Sequence, residues 1–474
     1  MTTTTSWAAG VSGDFNTASN WTDGVPGDGD TALITAKGIY TVTSSQFNSV
    51  GALEMAKTAT LAINDDDLTV SSGTNSGALD GTISLTNEGG LQLGTDGGTT
   101  TFDNNGEIEL NGSGISGASI TILGTVVLDG KGKIDLMNDC AIFCPGGEVA
   151  TLTNNSNTIF GSGNLGATDL PLVNAAKGII DANSSANPML LDCASFTNEG
   201  LLEATGSGTL ELANDIIQIG KGEIKAAAGS GAAAFVDLEG ITITGGTVST
   251  SKGSVVLAMD APTTIEPAKP ISNAGLIEAY TGNLTIDDAV KNTGLLYAAE
   301  SDLSIDGAVT GGTADIDQGS LTFAGPSSTK VSFNSGATGV LVLDDATKFT
   351  GTVSGMAASP GASIVLSNIG FADNISLSYA KGVLTVADAT NEMTDKIKIV
   401  DGGNFIGQEY GITGELQIFD PPANVANVSR NNTAQLLVQS MAAFGAASGV
   451  VTSDGAAVAD HRQSSQFLAL PHHG

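Results

Sequence analysis

Carboxylates are the only side chains in this sequence present in the numbers and groupings that chemistry needs. Asp28 and Asp30 flank Gly29, Asp65-Asp66-Asp67 follow Asn64, and Asp287-Asp288 and Asp344-Asp345 form pairs. Hard carboxylate oxygens in irregular turns suit Ca²⁺, which tolerates variable geometry. Asp28, Asp30, Asp65, Asp66, Asp67, Asp344 and Asp345 are therefore the candidate metal ligands, with calcium the one cofactor they suggest and none required. Two carboxyls facing each other at ~5–9 Å could also hydrolyse a glycosidic bond. The simpler expectation is structural, because Asp is a favoured turn residue and keeps a chain soluble.

Histidine argues against catalysis. His461, His472 and His473 all lie near the C-terminus, so the body of the chain offers no Ser-His-Asp or Cys-His site and no ordinary zinc site. The two arginines, Arg430 and Arg462, are also late, and no lysine sits in a recognisable acidic constellation. We expect no enzyme, and a polysaccharide lyase or hydrolase is the least favoured function. Cys140, Cys144 and Cys193 are odd in number and read as small buried hydrophobes, with a Cys140–Cys144 disulfide as the alternative. Tyr280 and Tyr297 are spaced so that they could stack outward, although such a pair is more often packing or chance.

Charge excludes further classes. Lys and Arg total 17 against 50 Asp and Glu, a formal net charge of −33. No basic stripe is available to displace counterions from nucleic acid, and anionic membranes are disfavoured for the same reason. Such a protein repels its own copies unless cations screen or bridge them. Residues 1–10 carry neither a positive n-region nor an apolar h-region, so no Sec signal peptide is visible. No apolar run reaches the ~20 residues of a membrane span.

What positions these residues is a repeat. Asn-x-Gly followed by alternating apolar residues begins at Asn87, Asn104, Asn198, Asn273 and Asn292, and copies without Asn begin at Gly132, Gly178, Gly222 and Gly246. Spacings cluster near 22 residues, too short for a helix pair and right for one rung of stacked strands. The chain is predicted to be all-β, a right-handed parallel β-solenoid (β-helix) of roughly 16 rungs, on the order of 75 Å long at ~4.8 Å per strand. Ile180, Leu202, Ile224 and Ile277, each two residues after a repeat glycine, should face the core. The Asn side chains should stack as a ladder, and Asn and Gly should supply the left-handed corner geometry. Handedness follows the general rule for parallel crossovers.

Texture divides the chain into four. Residues 1–45, with Trp7 and Trp21, read as an N-terminal cap over the open end of the coil. Residues 46–400 are the solenoid, and 401–445 a C-terminal cap with a short helix carrying Leu436, Leu437, Met441 and Phe444. Residues 446–474 read as a flexible tail.

Several phrases resemble repetitive adhesin-like β-solenoid surface and secreted proteins of alphaproteobacteria. They are Ser12-Gly13-Asp14-Phe15-Asn16-Thr17-Ala18-Ser19-Asn20-Trp21, Asn157-Thr158-Ile159-Phe160-Gly161-Ser162-Gly163-Asn164-Leu165, and Leu341-Val342-Leu343-Asp344-Asp345 with Phe349-Thr350-Gly351-Thr352-Val353. The chain departs from that style at Gly361-Ala362-Ser363-Ile364-Val365-Leu366, where an acidic phrase is usual, and lacks the nonapeptide calcium repeat. The resemblance implies a secreted or cell-surface protein exported without a Sec signal, the tail serving as export signal. The function expected for such a rod is a structural element that self-associates into fibres, a surface layer or a matrix. A monomeric adhesin engaging polysaccharide or a host surface is the alternative.

Overall fold

A computed structural model describes residues 2–74, 77–112, 117–147, 149–167, 170–411 and 414–421. It is all-β, 55% strand, with parallel coils stacked into a β-solenoid of about 15 turns. The strands are short because the apolar alternation is short: two or three inward residues, then a Gly, Asn or Ser corner.

One turn lays down three strands, one on each face. Leu172–Asn174, Ile179–Ala182 and Met189–Leu191 make such a turn, and Phe196–Asn198, Leu201–Gly206 and Thr209–Leu212 the next. The pairing is parallel and in register, with Leu172 on Phe196, Ile180 on Leu202 and Met189 on Leu210. Ile180, Leu202, Ile224 and Ile277 are all 0% exposed, as the repeat predicts. Burying each such side chain contributes ~1.5–3 kcal/mol.

The Asn residues form the expected ladder inside the corner between the first and second faces. Asn154 donates to Asn174 (3.1 Å), Asn174 to Asn198 (2.9 Å), and Asn198 to Gln218 Oε1 (3.2 Å). Asn104 joins from above by donating to Asn157 at 2.8 Å. A second ladder runs from Thr250 to Asn273 (2.6 Å) and Asn273 to Asn292 (2.9 Å). These ladders occupy different corners. Ile224 stacks on Val248 in the second face, whereas Ile277 stacks on Val256 and Leu296 in the third. One turn from Thr250 to Asn273 takes 23 residues, so the longer step from Gly246 to Gly275 is a turn plus one face. The repeat shifts its phase on the coil there, which the spacing alone had not disclosed.

The reason for the glycines also differs from the expected one. Gly178, Gly200, Gly275 and Gly294 do not adopt positive φ. They are required by space: a Cβ at Gly178 would collide with the Asn174 amide oxygen. Asn87, by contrast, takes φ +55° in a turn.

Both boundaries of the coil fall earlier than the sequence suggested. Thr4–Ser6 already pairs in parallel with Thr31–Ile34, and Tyr40–Ser44 with Ala59–Asn64, so cap and coil interleave within residues 1–45. The cap itself is aromatic: Trp7 and Trp21 meet edge-on at 5.1 Å, Phe15 meets Trp21 at 5.1 Å, and Tyr40 stacks on Trp7. At the other end, parallel stacking in the first face stops at Ser363–Gly370 rather than near 400. Ile375–Ala380, Val383–Asp388 and Met393–Lys398 form an antiparallel sheet, and Ile406–Tyr410 and Glu415–Phe419 a hairpin. Alternation looks the same in parallel and antiparallel strands, so composition could not place the change. The expected helix and tail lie outside the described residues.

The three cysteines are free and buried, with no Cys140–Cys144 disulfide. Cys140 Sγ donates to the Leu110 carbonyl and Cys193 Sγ to that of Leu165. Burial, with the charge of Asp192 a smaller cause, pushes the Cys193 thiol up to about 12.

Candidate functional site: an outward carboxyl file on the third face

The seven candidate calcium ligands are dispersed into turns that they themselves organise. Asp30 accepts from the backbone N–H of Thr3 (2.7 Å) and Gly27 (3.0 Å), and these bonds, Gly27 first, hold its carboxyl below the ordinary range. Asp28 accepts from Ser49 Oγ at 3.3 Å. Asp65 takes φ +59°, Asp66 accepts from the next backbone N–H, and Asp67 accepts from Gln92. Asp345 caps the short helical turn Ala346–Lys348 and pairs with Lys348 at 3.1 Å, and its carboxyl is held low chiefly by the Thr347 hydroxyl. Asp344 ends the strand before this turn. Among the described residues no group of three or more His, Cys, Asp or Glu is placed to hold a metal ion.

The structure assembles a different set of carboxyls. On the outward side of the third face, one file runs Glu211, Asp237, Leu257, Glu278, Tyr297 and Asp315, each paired with the next across consecutive turns. Beside it runs an apolar file, Phe235, Val255, Leu276 and Leu295. Strand alternation explains both files, because Val236, Leu238, Ile277 and Ala279 fill the core and leave 235, 237, 276 and 278 outside.

Asp237 and Glu278 are nevertheless only 9% and 6% exposed. Asp237 Oδ1 is buried and has no hydrogen-bond partner among the described residues. Burial first, then the charges of Glu211 and Glu239, push the Asp237 carboxyl up to about 7. Burial alone pushes Glu278 up to about 7. Asp315 and the Tyr297 phenol are raised too, burial being the largest cause for each. On the second face burial raises Asp181 and Glu203 as well, but each has a partner. Asp181 accepts from Thr205 Oγ1 at 2.8 Å, and Glu203 pairs with Lys225 at 3.4 Å. An ionised, unpaired carboxylate recessed among apolar side chains is costly, so Asp237 and Glu278 are left electrostatically unbalanced.

Sequence reasoning missed this file. The alternation in Phe235-Val236-Asp237-Leu238 and Leu276-Ile277-Glu278-Ala279 says that the acids face outward. The alternation does not say that they are buried, because their partners in register, Leu257 and Tyr297, lie about twenty residues away in sequence. Tyr280 and Tyr297 do not stack as rungs: Tyr297 lies on Glu278, while Tyr280 sits past the strand end and is 39% exposed.

No family model matches the chain, and neither a curated protein nor a solved structure matches it.

Proposed function

We propose that this protein is a structural solenoid of the cell exterior that associates side by side into fibres, a layer or a matrix, and that it is not an enzyme. The observation that carries this reading is how the coil ends. At the N-terminal end, Asn20–Thr22 runs along the first strand, with Thr22 N–H donating to Ser6 O at 2.9 Å and Ala8 N–H to Asn20 O at 2.8 Å. At the other end, Glu415–Phe419 pairs antiparallel with Ser363–Leu366, and Val400 N–H donates to Val353 O at 2.8 Å. Edge strands covered in this way are poor templates for another chain, so head-to-tail growth by strand addition is disfavoured.

The remaining surface for contact is lateral. A net charge of −33 sets the condition for using it, because like-charged faces meet only with screening salt or bridging cations. Calcium acts here between molecules rather than within a preformed cage. Export without a Sec signal follows from the family resemblance, which supports the extracellular placement. The test is static light scattering across a concentration series, with millimolar calcium and with chelator. Reversible mass increase that chelator lowers is expected. A monomer at all concentrations would overturn the scaffold reading and favour an adhesin acting alone.

A further inference from the structure

Asp237, Leu257 and Glu278 stand in register on three consecutive turns. At ~4.8 Å per strand, the two carboxyls are about 10 Å apart with an isobutyl group between them. Both residues are more than nine-tenths buried, both point to the outside of the sheet, and among the described residues neither receives a hydrogen bond or an ion pair there. Phe235, Val255 and Leu276 line one side with apolar surface. The pattern is acid, apolar, acid along a straight line.

We propose that this ledge binds an aliphatic dication, two ammonium groups joined by an apolar stretch, with one ammonium on Asp237, the other on Glu278 and the chain over Leu257. Three other occupants fit less well. A divalent metal ion needs several oxygens converging on one point, and these carboxyls are two turns apart. A second copy of this face would have to bring recessed acids against recessed acids. An anionic polymer is repelled by the net charge. An ammonium on a flexible methylene stem reaches a recessed carboxylate and covers apolar surface with its stem.

The charged surroundings agree. The groups facing Asp237 are Glu211 and Glu239, both negative, and Glu278 faces the Tyr297 phenol. Among the described residues no lysine forms an ion pair with either carboxyl. Two sources carry this chemistry, a free polyamine and a pair of lysines on another chain.

The experiment is calorimetric titration of the full chain, at physiological salt, with linear diamines from propane to octane, with the matching monoamines, and with an extended peptide bearing two lysines about 10 Å apart. Affinity should peak at the diamines whose ammonium groups span about 10 Å, with monoamines about tenfold or more weaker. Binding should release protons near pH 7 and weaken as pH falls below it, because both acids must ionise. Asp237→Asn and Glu278→Gln, which keep side-chain size, should each reduce affinity about tenfold. Asp28→Asn, on a turn remote in sequence, should not. Tighter binding of the diamine than of the peptide identifies a free polyamine, and the reverse identifies a lysine-bearing chain. Affinity that ignores chain length and both substitutions would be general attraction to a polyanion and would overturn the proposal. Binding of a neutral oligosaccharide at this ledge, with none of a diamine, would overturn it as well.

Discussion

Asn174 Nδ2 donates to Asn198 Oδ1 at 2.9 Å, and both side chains are fully buried. The bond runs along the axis of the coil, from one turn to the next, at right angles to the chain. Asn198 passes the pattern on by donating to Gln218 Oε1 (3.2 Å) and to the Glu223 carbonyl (3.2 Å). An Asp at 198 would lose both donations and leave a charge in an apolar corner. Asn198→Asp is expected to cost about 3–5 kcal/mol, as breaking a buried charged or polar network does. Asn105→Asp, at an exposed turn position whose side-chain oxygen accepts from Lys131 N–H at 3.3 Å, keeps that acceptor and should cost less than about 1 kcal/mol. Urea midpoints measured by circular dichroism compare the two. Equal midpoints would mean that the ladder contributes nothing beyond turn chemistry.

The raised acids make stability fall as pH rises. Asp237 and Glu278 have folded values of about 7 against ordinary values of 3.8 and 4.5. Between about pH 4 and 7 the folded state therefore holds protons that the unfolded state has released. Each group removes on the order of 1 kcal/mol per pH unit across that window, and the loss is complete above it. Melting temperatures from pH 5 to 8 should decline, and the Asp237→Asn, Glu278→Gln double variant should flatten the decline. An unchanged slope in the double variant would show that the two carboxyls are solvated in solution.

Trp21 closes the N-terminal end. Its ring packs edge-on against Trp7 and Phe15, and its Nε1–H donates to the Phe15 carbonyl at 2.7 Å. Trp21→Ala should cost about 3–5 kcal/mol locally. It should also free the edge of Thr4–Ser6 for pairing with another chain. Size-exclusion chromatography should then show end-to-end oligomers that the parent protein lacks. A variant that unfolds earlier yet stays monomeric would leave the sealing role to other contacts.

Cysteine reactivity tests the core directly. Cys140, Cys144 and Cys193 are free and buried, and the Cys193 thiol is raised to about 12. Iodoacetamide at pH 8 should label none of them in the folded protein and all three in denaturant, read by intact mass. Rapid labelling of native Cys193 would contradict its place between turns.

The solenoid was legible because one periodic signal carries it. Ile180, Leu202 and Ile224 recur two residues after a glycine, and stacking is the only arrangement that buries them all. The Asn ladder was legible for the same reason. What the sequence hid depends on contacts between turns. The shift of the repeat from the second face to the third leaves the local phrase at Asn273 looking like that at Asn198. The antiparallel cap from Ile375 alternates like the parallel strands before it. Asp237 and Glu278 look in sequence like solvated outward acids, and only the fold shows them 9% and 6% exposed, with Leu257 in register between them. The acidic turns, by contrast, drew attention through composition, and their carboxylates are largely satisfied by neighbouring N–H and hydroxyl groups.

Electron microscopy of the purified full chain at physiological salt, with millimolar calcium and with chelator, tests lateral association most directly. The expected result is side-by-side bundles with calcium that separate into intact single particles when calcium is removed. Particles that stay single under every condition, or threads joined end to end, would contradict it.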